Sequence, residues 1–106
     1  MYKQIAYLEA KELITNTDAI VIDVRDRVSF EAEHIAGAIH LCVSALKEFC
    51  ETTHFETPIL LYCYHGISSQ SVAQHLVDQG FIKVYSLMGG FESWKSHHST
   101  SDTNQS

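Results

Sequence analysis

The stretch LLYCYHGISSQ, residues 60–70, decides how the chain folds and where its chemistry lies. It begins with the apolar residues of a buried strand, passes through Cys63 and a loop of small and polar residues, and continues into a segment with helical spacing. Apolar residues recur along one face of that segment up to Gln79, and Gly80 comes next as a helix-ending residue. The stretch predicts a strand over residues 58–63 and a helix over residues 69–79.

Strand-like and helix-like segments alternate along the rest of the chain. Short runs of β-branched and aromatic residues predict two more strands, over residues 19–23 and 83–87. Helical spacing predicts further helices over residues 8–14, 28–33 and 43–50, with an extended segment at 38–41. Parallel strands need crossover connections, which helices supply, so the alternation predicts an α/β domain with a mainly parallel sheet.

The length and composition indicate one domain. A chain of 106 residues without a Pro-, Gly- or Ser-rich linker predicts a single domain over residues 1–98. Residues 99–106 contain no apolar side chain that could offset the entropy of ordering them, which predicts a disordered polar tail.

Charge and hydropathy exclude several classes of function. The formal net charge is −6 with only seven Lys and Arg, which opposes binding to a phosphate backbone, so no nucleic-acid partner is expected. The sequence has neither the apolar core of a signal peptide nor a run long enough to span a membrane. Three cysteines fit no disulfide framework or zinc spacing, so we predict a cytoplasmic protein without a metal.

Cys63 stands where a reactive thiol is expected, because sites in open α/β sheets form at the carboxyl ends of strands. Backbone N–H groups between Tyr64 and Ser69, next to a helix N-terminus, would stabilise a thiolate there. Gly66 allows the loop to curl close to the sulfur, and Ser68 and Ser69 are suitable capping residues. Cys42 and Cys50 have neighbours that resemble a helix face, and both are interpreted as core-packing residues.

A phosphatase is the nearest alternative thiolate chemistry. Cysteine-dependent phosphatases grip phosphate with an arginine placed where this chain has Ser69. Because Arg25 and Arg27 are the only arginines and lie in another segment, phosphoryl transfer would lack its main anion clamp.

Four pieces of the sequence resemble the rhodanese family, in particular the single-domain thiosulfate sulfurtransferases of the GlpE type. They are VIDVRD at 21–26 with Phe30 and EHIAGAIH at 33–40, CYHGISS at 63–69, QGF at 79–81, and MGGFESW at 88–94. The resemblance spans residues 5–97. It implies a rhodanese-like doubly wound parallel sheet with helices on both faces.

The resemblance also implies a function and a set of site residues. Cys63 would take the outer sulfur of thiosulfate as a persulfide and pass it to an acceptor such as cyanide, a thiol or a dithiol of the thioredoxin kind, without a cofactor. The backbone of the loop would bind substrate and persulfide, and in chain order its residues are Tyr64, His65, Gly66, Ile67, Ser68 and Ser69. Ile67 replaces the Asn usual in the GlpE group, and only His65 could be cationic there, so weak thiosulfate binding is expected.

Other polar residues receive supporting roles. Asp23 and Arg25 are expected to pair beneath the active loop, and His34 and His40 to be structural. Gly89 and Gly90 predict a tight turn before the last helix.

Two other functions stay open at this point. One is a phosphatase or arsenate reductase that uses the same thiolate loop. The other is a rhodanese-like binding module without catalysis, which would be expected to lack the cysteine.

Overall fold

Five parallel strands form one sheet in the computed structural model, which describes residues 1–105 and the side chains of residues 1–97. The strands are β1 Lys3–Ile5, β2 Ile20–Asp23, β3 Ile39–His40, β4 Ile59–Tyr62 and β5 Val84–Leu87, in the sheet order β1-β5-β4-β2-β3. The helices are α1 Tyr7–Asn16, α2 Arg27–Ala32, α3 Leu46–Thr52, α4 Ser68–Gln79 and α5 Gly90–Gln105. The predicted tail over residues 99–106 lies outside the residues whose side chains are described, and its disorder stays a prediction.

The central strand β4 shows why the sheet is covered on both faces. Its four residues are fully buried. Leu60 and Tyr62 pack with residues of α1 and α5, whereas Ile59 and Leu61 pack with residues of α3 and α4. Successive side chains of a strand point to opposite faces, so a continuous apolar run is required by a two-sided sheet. The predicted doubly wound sheet with helices on both faces is confirmed.

The structure departs from the predicted elements in two places. β1 was not predicted, because its sequence is KQI and only Ile5 is buried; β1 exists because it pairs with β5 at the sheet edge. The helix predicted over residues 43–50 begins as a 3₁₀ turn at Val43–Ala45 and continues as α3 to Thr52. The other predicted strands and helices are present, and Gly80 ends α4 with a φ of 119°.

A buried ion pair joins the end of β2 to the next segment of the chain. Arg25 Nη2 donates to Asp23 Oδ2 at 2.7 Å, and the backbone N–H of Arg25 donates to Asp23 Oδ1 at 2.7 Å. The guanidinium also donates to the carbonyl of Glu33 at 2.5 Å and lies 4.3 Å from the ring centroid of Phe91. The predicted pair therefore connects β2, the end of α2 and the start of α5.

Removing one partner of this pair should leave a buried charge without compensation. We expect Asp23→Ala to lower the free energy of unfolding by about 3–5 kcal/mol, measured by urea denaturation. Arg27→Ala is the control, because Arg27 is exposed and its ion pair with Glu31 is long, with 3.9 Å between Nη1 and Oε2. This substitution should change the free energy of unfolding by less than about 0.5 kcal/mol. Equal, small losses in both variants would contradict a structural role for the pair.

Candidate active site

Cys63 lies at the carboxyl end of β4, in the middle of the sheet. The residue is only 4% exposed, and the loop after it leads within five residues into α4. β2 and β5 flank β4, so the segments after those two strands surround the thiol. Neighbouring parallel strands end at the same edge, which is where open α/β sheets form their sites.

Backbone and side-chain donors converge on the sulfur of Cys63. The N–H groups of Gly66 and Ser69 each donate to Sγ at 3.2 Å, and the Ser69 hydroxyl lies 3.4 Å from it. The N–H of Ser69 belongs to the first turn of α4, whose amide groups have no partner within the helix. The sulfur therefore occupies a cradle that favours negative charge.

Two carbonyl groups of the same segment accept hydrogen bonds from α5. The N–H of Phe91 donates to the carbonyl of Cys63 at 2.8 Å, and the N–H of Glu92 donates to that of Tyr64 at 3.1 Å. Both donors lie in the first turn of α5. A trans peptide group is planar and directs its C=O and N–H in opposite directions, so α5 turns the loop N–H groups away from itself.

The loop lies in direct contact with the turn before α5. A Cβ atom on Gly66 would stand 2.7 Å from the nitrogen of Gly89, and one on Gly90 would stand 2.5 Å from the carbonyl oxygen of Cys63. Both glycines also have positive φ angles, 84° and 60°. The predicted turn at residues 89–90 thus has a second role, because it lets two backbone segments approach where no side chain fits.

A pair of buried serines extends the hydrogen bonding from the sulfur into the core. Ser69 Oγ lies 2.8 Å from Ser86 Oγ of β5, and both residues are at most 1% exposed. With a thiolate, Ser86 donates to Ser69 and Ser69 donates to the sulfur. A neutral thiol can instead donate to Ser69, but a hydroxyl bonds a charged acceptor more strongly than a neutral one. The serine pair therefore favours the thiolate.

The net effect of this environment is to lower the pKa of Cys63. Burial by itself raises the pKa of the thiol, but hydrogen bonds from the Ser69 side chain and from the N–H groups of Ser69, Gly66 and His65 outweigh it. These donors stabilise the charged form. A lowered pKa makes the nucleophilic thiolate more abundant near neutral pH.

Tyr64 attaches the loop to the start of α2. Its hydroxyl donates to Asp26, the N-terminal capping residue of α2, and contacts Ser29. Asp26 accepts from Tyr64 and from the Ser29 backbone, and these hydrogen bonds lower the pKa of its carboxyl to about 2. The Arg25 guanidinium lies 5.6 Å from the Tyr64 ring centroid, so the predicted ion pair does lie beneath the loop.

The remaining loop residues form the outer rim. His65, Ile67 and Ser68 are exposed, Ile67 by 74%. The predicted capping role of Ser68 and Ser69 is wrong, because α4 begins at Ser68 with Ile67 as its capping position and no side chain caps it. Ser69 is inside the first turn, where its hydroxyl faces the sulfur.

Two of the histidines, His34 and His40, take structural positions, and the two other cysteines differ in their burial. His34 bonds the Phe30 carbonyl at 2.7 Å, and His40 bonds the Arg25 carbonyl at 2.6 Å, as expected of supporting residues. Cys50 is buried, whereas Cys42 is exposed and bonds Ser44 at 3.1 Å, so the expectation that Cys42 packs in the core is wrong. No group of three or more possible metal ligands occurs among the described side chains.

Sequence reasoning missed Ser86, Asp26 and Gln70, each of which hydrogen-bonds a residue of the loop. Gln70 donates to the carbonyl of Gly66 at 2.7 Å. Only Ser86 left a signal, since a serine within the apolar run of β5 must find a partner once it is buried.

The sequence and the structure of this chain are similar to those of known proteins. The family model described as "Rhodanese-like domain" matches residues 7–97. The chain is 62% identical to the thiosulfate sulfurtransferase GlpE of Coxiella burnetii, covering 99% of this chain and 98% of that protein. It is 46% identical to the protein of the same name from Vibrio cholerae, over 80% of each. A rhodanese-related protein from Thermoplasma volcanium superposes with a TM-score of 0.77 at 25% identity, over 91% of this chain and 93% of the other.

The fit of the loop against the turn predicts different outcomes for two glycines. Gly66→Ala should displace the loop and raise the pKa of Cys63, measured from the pH dependence of its alkylation by iodoacetamide. Gly37→Ala is the control, because Gly37 has a similar φ of 85° but nothing within 4 Å of the added carbon. It should cost about 1–2 kcal/mol of stability from backbone strain and leave the thiol unchanged. An unchanged thiol in both variants would rule out the proposed steric fit.

The hydrogen bonds to the sulfur also predict a pH dependence. In a Cys42→Ser/Cys50→Ser background, the rate of Cys63 alkylation should rise with pH. It should reach half its maximum at a pH below 9.0, the ordinary pKa of a thiol. Ser69→Ala removes a donor to the thiolate and should move that midpoint upward. Ser71→Ala, at an exposed position of the same helix, should not. A midpoint that is the same in all three proteins would show that the serine does not stabilise the thiolate.

Proposed function

The chain belongs to the rhodanese-like domain family, and from this we propose that Cys63 is the residue that carries the transferred sulfur. Relatives over nearly its whole length are thiosulfate sulfurtransferases, and the chain is a sulfurtransferase of the rhodanese type. The observation that carries the assignment of Cys63 is the cradle around its sulfur: two backbone N–H groups at 3.2 Å and a serine hydroxyl at 3.4 Å.

In the first half of the proposed reaction the Cys63 thiolate attacks the outer sulfur of thiosulfate. A sulfur–sulfur bond forms to Cys63, the bond between the two sulfur atoms of thiosulfate breaks, and sulfite leaves with that bonding electron pair. One thiolate and one thiosulfate dianion give one persulfide anion and one sulfite dianion, so atoms and charge balance. Donors that already face Sγ stabilise the attacking thiolate without rearrangement, which is electrostatic preorganisation. The persulfide carries its charge on the outer sulfur, which would be held by the other N–H groups of the loop.

In the second half a nucleophilic acceptor takes the outer sulfur and restores the Cys63 thiolate. Cyanide would leave as thiocyanate. A dithiol of the thioredoxin kind would leave as a disulfide with release of hydrogen sulfide, again without any other oxidant or reductant. Dividing one transfer into two displacements at the same thiolate is covalent catalysis and requires no cofactor.

The positions of the arginines argue against phosphoryl transfer. Ser69 stands where the phosphate-gripping arginine would be, and it is fully buried against the sulfur. Arg25 is buried and forms an ion pair with Asp23. Arg27 forms an exposed ion pair with Glu31 within α2. Neither arginine is free within the cradle. A terminal sulfur atom requires only backbone donors, which the loop supplies.

The alignment of the donors also argues against a binding module without catalysis. A thiol that served only for packing would need neither two N–H groups nor a pair of buried serines directed at its sulfur. We therefore propose that the loop residues Tyr64 to Ser69 bind substrate and persulfide, with Asp23 and Arg25 supporting them from below.

The rim of the site bears on its substrates. Ile67 and Tyr64 are exposed by 74% and 42%, and His65 is the one residue of the loop that can become cationic. We expect this rim to bind thiosulfate weakly and to admit both small acceptors and protein thiols. No described helix is long and apolar enough to cross a membrane. We propose that a single domain of residues 1–98 acts in the cytoplasm.

The test of this function is the mass of the intact protein after incubation with thiosulfate. The wild-type protein, Cys42→Ser and Cys50→Ser should each gain one sulfur atom, which cyanide then removes with release of thiocyanate. Cys63→Ser should fold normally and gain none. Transfer activity that survives in Cys63→Ser would overturn the assignment of Cys63.

A further inference from the structure

The carbonyl oxygen of Gly66 is held differently from those of Cys63 and Tyr64 in the same loop. The Cys63 and Tyr64 oxygens accept from backbone N–H groups of α5. The Gly66 oxygen instead accepts from a side chain, Nε2 of Gln70, at 2.7 Å. Gly66 also gives its own N–H to the sulfur of Cys63 at 3.2 Å. A residue of the cradle therefore depends on one side chain of α4 for its orientation.

A second contact fixes that side chain from the far end of the chain. The hydroxyl of Tyr2 donates to Oε1 of Gln70 at 2.9 Å, across 68 positions of sequence. Tyr2 is half-buried and packs against the hydrophobic cluster beneath α3 and α4. Tyr2 is thus anchored to the core, and its hydroxyl holds the half-buried Gln70.

We propose that Tyr2 and Gln70 form a strut that positions the Gly66 segment of the loop for sulfur transfer. Tyr2 and Gln70 act as positioning residues, since the hydrogen bonds to the sulfur among the described residues come from Gly66 and Ser69 and not from them. This inference rests on the proposed function of Cys63 and extends it to two residues outside the loop.

The chemistry of the amide fixes the order of the strut. A carbonyl oxygen can only accept, so the NH₂ group of Gln70 must face Gly66. The amide oxygen then faces Tyr2, whose hydroxyl can donate to it. Without the tyrosine hydroxyl the amide is free to rotate and to lose its bond to Gly66.

The effect on the loop follows from peptide geometry. The Gly66 carbonyl and the Ile67 N–H belong to one planar trans peptide group, and the described chain has no cis peptide bond. Holding the oxygen therefore also fixes the direction of the Ile67 N–H. It restricts rotation at Gly66 as well, and glycine is the residue with the most backbone freedom to lose. The strut supplies at residue 66 the anchoring that α5 supplies at residues 63 and 64.

The experiment compares Gln70→Met and Tyr2→Phe with two matched controls, all in a Cys42→Ser/Cys50→Ser background. Gln74→Met alters the same residue type one turn further along α4, where the exposed Gln74 bonds only Asp78, at 2.9 Å. Tyr85→Phe removes a tyrosine hydroxyl from β5, on the side of the sheet that carries α1. Three quantities are measured: the rate of persulfide formation from thiosulfate by mass spectrometry, the pH midpoint of Cys63 alkylation, and the urea midpoint.

We expect Gln70→Met to slow persulfide formation about five-fold, the worth of one net hydrogen bond. Its alkylation midpoint should move upward, and its urea midpoint should fall only by the small amount that the loss of a half-buried hydrogen bond causes. Tyr2→Phe should do the same to a smaller extent, about two-fold. The double variant should be no slower than Gln70→Met, because Tyr2 acts through Gln70. Gln74→Met and Tyr85→Phe should match the wild-type protein.

The inference is overturned if folded Gln70→Met keeps the wild-type rate and alkylation midpoint, or if Gln74→Met loses as much. Losses that add in the double variant would overturn the connection between Tyr2 and Gln70. Failure of the proposed function looks different, since the wild-type protein itself would then gain no sulfur. The alkylation midpoints would still report whether the strut orients the loop.

Discussion

The direction of the peptide groups after Cys63 is the constraint on which the rest of the site depends. The carbonyl oxygens of Cys63, Tyr64 and Gly66 accept from α5 and from Gln70, which fixes three peptide groups of the loop. Within the loop held in this way, the N–H groups of Gly66 and Ser69 donate to the sulfur. This is possible only because the loop backbone lies against the turn at Gly89 and Gly90 without intervening side chains. The activation of the thiol therefore comes from backbone N–H groups together with the Ser69 hydroxyl, and no lysine or arginine is among the groups that lower its pKa.

The fold divides this work among neighbouring strands. Cys63 follows β4, and Ser86 and the glycine turn lie in and after β5. The Asp23–Arg25 pair lies at the end of β2, with its guanidinium 5.6 Å from the centroid of the Tyr64 ring. Because all the strands run parallel, the segments after them arrive at the same edge of the sheet. Helices on both faces bury the strands, which keeps donors and sulfur away from competing water. Arg25 connects several of these segments, since it contacts Phe91 and Glu33 as well as the loop residue Tyr64.

A cradle of dipoles also explains why the rim tolerates apolar residues. The negative charge is stabilised at the floor, by Gly66, Ser69 and the serine pair, so the entrance is not required to supply a cation. Ile67 can replace a polar residue there without removing any donor to the sulfur, since the loop contributes its backbone. The side chains of the rim can therefore determine which sulfur donors and sulfur acceptors bind, whereas the hydrogen bonds at the floor determine the reactivity of the sulfur.

The sequence by itself determined the parts that depend on local pattern. The apolar run of β4, the position of Cys63 at its end, the spacing of α4 and the glycine after it all follow from short-range periodicity and backbone preference. Only the tertiary structure decided which distant residues hydrogen-bond to Ser69 and Gln70 beside the sulfur. Ser86 lies 17 positions from Ser69, and Tyr2 lies 68 positions from Gln70. These pairs exist because of the order in which the strands adjoin and the helices pack. β1 likewise has no apolar run of its own and is held in the sheet by β5, so that edge of the fold is fixed by pairing and not by composition.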